Sequence, residues 1–195
     1  YNGVPMIHPN YGKASDLTDA ELKNLRAHYC AEAEMVDKSI GEILQKIDEL
    51  SLWDNSIVVF LSDHGMSLGE HNRTGKSNIN SADNRFWPVY PEVAHEPFLI
   101  AAPGLEGGTS VDVILQPVDI MPTLLSMMDL PVPQTAEGAD LSHWAQGRSG
   151  PEPAAAFMQG MGTTAAWVDG SEWRGLKDRQ FTYAIYRRDL SLIHI

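Results

Sequence analysis

A second cysteine is missing from this 195-residue chain, so no internal disulfide can form and Cys30 stands alone. Cys30 falls on a predicted helix and is followed by Ala31, Glu32, Ala33 and Glu34, which points to a half-buried structural thiol rather than a nucleophile. Long apolar runs are lacking too: none approaches the roughly 20 residues that a bilayer-crossing helix needs. Positive charge is scarce, with 14 Lys and Arg against 26 Asp and Glu, a formal net charge of -12. That balance argues against a nucleic acid or an anionic membrane as partner. An anionic substrate would have to be held by a metal or a few local cations against the global field. No initiator Met and no basic, then apolar leader opens the chain at Tyr1, so the true start is expected upstream. Internal repeats and low-complexity tracts are also absent. What is present, 43% hydrophobic and 21% charged residues, is ordinary for a globular protein.

The periodicities alternate between helix and strand. Residues 1–15 form a Gly, Pro and Asn loop containing His8, which reads as a surface histidine. Thr18-Asp19-Ala20-Glu21 is a capping box, and from it Leu22, Leu25, Tyr29, Val36, Ile40, Ile47 and Leu50 recur at three- and four-residue steps. The expectation is one long amphipathic helix packed on a sheet. Asp54-Asn55 marks a turn, and Ile57, Val58, Val59, Phe60 and Leu61 then make a short β-branched run of the kind found in a parallel sheet covered on both faces. A polar loop over residues 72–84 precedes a second buried strand within residues 97–104 and a short extended segment at 111–115. Asp119 is placed to cap a helix through about Met128, with Pro122 tolerated in its first turn. Residues 131–153 carry Gly and Pro repeatedly and read as a connector, with a helical turn near 141–145. Short strands are expected at 154–158, 163–168 and 180–186.

Chemistry concentrates at the end of the first strand. Asp63 and His64 follow it directly, at the edge where open α/β sheets place their ligands, and Gly65 frees the backbone to turn. Neighbours on an extended chain point apart, so both side chains reach one ion only if the strand has ended by then. Hard Ca2+ prefers oxygen donors, whereas an imidazole suits Zn2+ or Mn2+, so the pair alone does not select a metal. Lys76 lies in a Gly-Lys-Ser context without the spacing of a P-loop, because position 70 is Glu70 and not glycine. It could neutralise a phosphate or sulfate oxygen, or be a solvated surface lysine. Glu70 and His71 have the residue types for acid–base work or for structural hydrogen bonds.

The blocks DNSIVVFLS, SDHGMSLGEHNRTGK, PVYPEVAHEPFLIAAPG, QPVDIMPTLLSMMDLPVP, EGADLSHWAQGR and WRGLKDRQFTYAIY, in this order, resemble the sulfatase family of the alkaline-phosphatase superfamily. The resemblance implies an α/β fold with a mostly parallel sheet flanked by helices and a small antiparallel C-terminal subdomain. It implies that residues 1–130 are the C-terminal part of the catalytic domain, 131–153 a connector and 154–189 the subdomain. It also implies a divalent metal, usually Ca2+, with Asp63 and His64 as ligands, Lys76 contacting the sulfate with a catalytic role, and His71 near the substrate. The substrate would be a sulfate ester, a sulfated carbohydrate among the possibilities, and the enzyme periplasmic or secreted. The family's formylglycine nucleophile arises in a C/S-x-P-S-R motif, and nothing here matches it; the paired N-terminal aspartates of the metal site are absent too. The chain therefore resembles the C-terminal half of a sulfatase, and no turnover is expected of it alone. Two other readings stay open: a phosphodiesterase or phosphonate hydrolase of the same superfamily, and a non-catalytic anion-binding protein. Residues 190–195, Leu-Ser-Leu-Ile-His-Ile, match one translated frame of a sequencing-library adapter, so the natural chain is expected to continue past Asp189.

Overall fold

The computed structural model describes residues 12–76, 90–160, 173–186 and 192–194. Its first long element is helix α1, Asp19–Glu49. The capping box forms as the sequence predicts: the Glu21 amide donates to Thr18 Oγ1 at 3.3 Å, and the Thr18 amide donates to Glu21 Oε2 at 2.7 Å. Hydrogen bonds from the Thr18 backbone and then its hydroxyl hold the Glu21 carboxyl below the ordinary carboxylate range. The expected burial of the apolar stripe is another matter. Only Asn24 and Leu25 are buried in α1, whereas Met35, Ile43 and Leu50 are 63%, 60% and 56% exposed. The helix meets a strand near its N-terminal end, where Arg26 Nε donates to the Leu68 carbonyl at 2.9 Å. Local capping and propensity suffice to shape a helix, but they do not supply the surface that covers it.

Strand β1, Val58–Leu61, pairs with β4, Phe98–Ala101, which the second apolar run predicts. The pairing is antiparallel, with Phe60 opposite Leu99, and the outer residues Phe60 and Leu99 stay 41% and 58% exposed. A parallel neighbour for residues 57–61 is not found among the described residues. A continuous apolar run records that both faces want cover; it carries no information on the direction of the adjoining strand. Between them lies the hairpin of β2, Ser67–Leu68, and β3, Thr74–Gly75, followed by the short helix α2, Pro91–Ala94. Residues 111–115 make no ladder.

Helix α3, Pro117–Met127, starts earlier than Asp119 as a cap would have it. Pro117 takes the first helical position, where a missing N–H costs nothing, and Gln116 becomes the N-cap. Asp119, 2% exposed, instead accepts from the Gln116 amide at 2.8 Å and from the Ala139 amide at 2.7 Å. Pro122 consequently falls in the second turn, not the first, and cannot donate to the Val118 carbonyl. The backbone at Gly138 packs against that carbonyl so closely that an added Cβ would sit 1.9 Å from its oxygen. The turn expected at 141–145 is α4, Ser142–Ala145.

The last sheet has order β5-β6-β7-β8 and is antiparallel throughout: Ala156–Gly160, Trp173–Lys177, Thr182–Tyr186 and Leu192–His194. Strands near 154–158 and 180–186 were expected; the one expected at 163–168 lies outside the described residues. β6 was not marked by alternation, since Arg174, Gly175 and Lys177 dilute its strand character. β8 falls within the stretch read as an adapter remnant, and its backbone pairs with Tyr183, Ala184 and Ile185. Arg179, in the β6–β7 turn, anchors the sheet through Asp112 Oδ2 at 2.7 Å and Glu152 Oε2 at 2.8 Å.

Candidate functional site

His64 and Lys76 are brought together by the β2–β3 hairpin, with Asp63 beside His64. Its register sets Ser67 opposite Gly75 and Leu68 opposite Thr74, so the chain leaving β3 runs back past the residues that enter β2. The turn between the strands is fastened from several sides. The Gly69 amide donates to the Arg73 carbonyl at 2.8 Å, the Leu68 amide to Glu70 Oε2 at 2.5 Å, and the Ser15 amide to Asn72 Oδ1 at 2.7 Å. Ser67, Arg73 and Thr74 are buried at 0%, 5% and 1% exposure.

At the open end of this hairpin three polar groups converge. Lys76 Nζ lies 2.6 Å from His64 Nε2, and Asp63 Oδ2 lies 3.2 Å from the same nitrogen. The other ring nitrogen, Nδ1, is 3.0 Å from the Gly65 carbonyl, which can only accept. Assigned from this network, the hydrogen sits on Nδ1 and the lone pair of Nε2 faces the Lys76 ammonium. Asp63 Oδ2 and Lys76 Nζ thus flank the same ring nitrogen of His64. The Asp63 side chain is open to solvent and that of His64 about one-third so.

Gly65 explains how adjacent residues come to point the same way. Its amide donates to the Val93 carbonyl at 3.0 Å, and a Cβ there would lie 2.1 Å from the Glu92 carbonyl oxygen. Only glycine lets the chain turn this close under α2. Asp63 Oδ1 accepts from the His64 amide at 3.0 Å, which completes the turn.

The remaining candidates are placed elsewhere. His71 does not join the cluster: its ring stacks on Tyr90, with centroids 3.6 Å apart and planes within 5°, and its Nε2 lies 3.3 Å from Glu92 Oε1. Glu70 serves the hairpin as a backbone acceptor. Cys30 is exposed on α1, more so than the half-buried position expected. His8 lies outside the described residues. Tyr90, Glu92 and Val93 escaped the reading of the sequence, although Pro88 and Pro91 around Tyr90 mark a turn leading into a short helix. Among the described residues no group of three or more His, Cys, Asp or Glu side chains gathers to hold a metal, and no helix is long and apolar enough to cross a membrane.

Comparison with known proteins gives the class of this α/β chain: the Sulfatase family model matches residues 6–130, and the chain belongs to that family. It is 30% identical over 185 residues to the ulvan-active sulfatase of Formosa agariphila, covering 92% of this chain and 33% of that one. It superposes on the phosphonate monoester hydrolase of Silicibacter pomeroyi with a TM-score of 0.79 at 26% identity, covering 93% of this chain and 37% of the other. A structure solved with its substrate D-glucosamine-2-N,6-O-disulfate matches with a TM-score of 0.74 at 25% identity, over 90% of this chain and 34% of that one. The alkaline-phosphatase-like α/β class expected from the resemblance is borne out. The chain spans between about a fifth and a third of the length of the curated relatives it matches.

Proposed function

We propose that this chain supplies the cation- and sulfate-holding edge of a sulfatase whose substrate is a sulfate ester carried on a carbohydrate. The observation that carries the reading is that Lys76 Nζ and Asp63 Oδ2 lie 2.6 and 3.2 Å from the same atom, His64 Nε2, at the mouth of one hairpin. Asp63 and His64 would hold a divalent cation, since a carboxylate oxygen and an imidazole lone pair directed into one space fit two adjacent coordination positions. One oxygen and one nitrogen donor suit Ca2+, Mn2+ or Zn2+ without deciding among them. Such a cation, when bound, withdraws charge from the ester oxygens. Lys76 is close enough to the pair to contact a sulfate oxygen held there and offset the charge that develops as the ester bond breaks. His64 keeps its lone pair directed into the site because Gly65 fixes the hydrogen on Nδ1.

No residue of this chain fits the formylglycine nucleophile: Cys30 is exposed in mid-helix and lacks the flanking motif. No step through that group is derived. The sugar is supported by the glucosamine disulfate in one solved relative, and the sulfate ester by the family itself. A second reading, phosphonate monoester hydrolysis, is favoured by the 0.79 superposition on an enzyme of that name.

Calorimetric titration of the chain with Ca2+, Mn2+ and Zn2+ tests the cation half of this reading. Binding on the order of 1 mM is expected for so few donors. Asp63→Asn and His64→Ala should each weaken it about tenfold. Affinity untouched by both substitutions contradicts the assignment.

A further inference from the structure

Helix α2 touches both arms of the site, and this rests on the reading just given. On one arm the Val93 carbonyl takes the Gly65 amide, and the Gly65 carbonyl in turn sets the His64 tautomer. On the other arm Tyr90, the cap of the same helix, stacks on His71, and Glu92 meets His71 Nε2. His71 lies where the hairpin turn is strained. It has φ 54° and ψ 27°, and Asn72 beside it has φ 55°, so two consecutive non-glycine residues adopt the left-handed conformation. Such a pair persists only where surrounding contacts over-determine it. Here the contacts are the Tyr90 stack, the Glu92 bond and the Asn72–Ser15 pair.

We infer that His71, clamped by Tyr90 and Glu92, is a positioning residue that registers Lys76 against His64. The mechanical path is short. The His71 turn fixes the start of β3 at Thr74, β3 fixes Gly75 opposite Ser67, and Lys76 follows directly. Meanwhile α2 holds the His64 turn from the other side. The distance between the sulfate-facing ammonium and the imidazole is therefore set by one four-residue helix gripping both arms, and the imidazole of His71 is the handle on the lysine side. His71 does no chemistry in this role; its partners are Tyr90 and Glu92.

The test is solution NMR on the whole chain labelled with 15N, without ligand and then titrated with inorganic sulfate. In the unliganded protein, the long-range 15N pattern of the His64 ring and the Lys76 ammonium signal report whether the two groups still face each other. His71→Ala should shift both signals and cut sulfate affinity about tenfold. Tyr90→Leu should reproduce this, and His71→Phe, which keeps the stack, should restore most of it. Unchanged His64 and Lys76 signals in either folded variant, His71→Ala or Tyr90→Leu, overturn the inference. If His71→Ala does not fold, Tyr90→Leu against His71→Phe gives the same contrast. A wild-type chain whose Lys76 signal ignores sulfate defeats the functional reading, and the ligand-free spectra still decide the positioning role.

Discussion

Helix α1 and the β2–β3 hairpin solve the same problem by opposite means. The helix is 31 residues long, closes its own backbone hydrogen bonds and begins at its own cap, yet buries only two residues. The hairpin occupies Ser67–Gly75, buries Ser67, Arg73 and Thr74, and owes its shape to groups far away in sequence: Ser15, Tyr90 and Glu92. The helix draws its start and its hydrogen bonds from local sequence, and the described residues leave its apolar stripe uncovered; the hairpin keeps its shape only because other segments grip it. The functional groups sit on the second kind.

The contrast breaks most sharply at Gly65. Gly65→Ala drives a methyl into the Glu92 carbonyl, which is backbone and cannot swing aside. We expect it to destabilise the chain by about 3 kcal/mol and to separate His64 from Lys76, measured as a fall in the urea midpoint and a loss of cation binding. An unaltered midpoint would mean that α2 does not clamp the turn. At the other extreme, Thr18→Ala removes only the cap of α1. It should lower stability by about 1 kcal/mol and leave cation affinity at the wild-type value. A changed affinity would show that the helix and the site are not independent.

The same division decides what could be read from the sequence. The capping box, the three- and four-residue steps of α1 and the apolar runs of β1 and β4 were legible, because each is a local pattern with a local cause. The antiparallel partner of β1 was not, since an apolar run is silent on the direction of its neighbour. At α3 the cap was misplaced by three residues because Pro117, just before the expected start, fills the first helical position, and the buried Asp119 reaches back to Gln116. Asp63, His64 and Lys76 were picked out by residue type and resemblance, and the structure brings all three together. What escaped was the support. Nothing in the local pattern around Tyr90 or Glu92 announces that they will meet His71 some twenty residues earlier, and the separation of His71 from the other candidates follows from that long-range contact.

The central claim is that Asp63, His64 and Lys76 form one cation- and anion-holding site on an otherwise acidic surface. Its most direct test is a substoichiometric Mn2+ titration of the 15N-labelled chain, because the paramagnetic ion broadens the signals nearest to it first. The account predicts that the amides of His64 and Gly65 and the Lys76 ammonium fade before any others, and that Asp63→Asn abolishes this order. Broadening that begins instead around Glu137, Asp140 and Glu152, the carboxylates along the cavity beside α3, would contradict it.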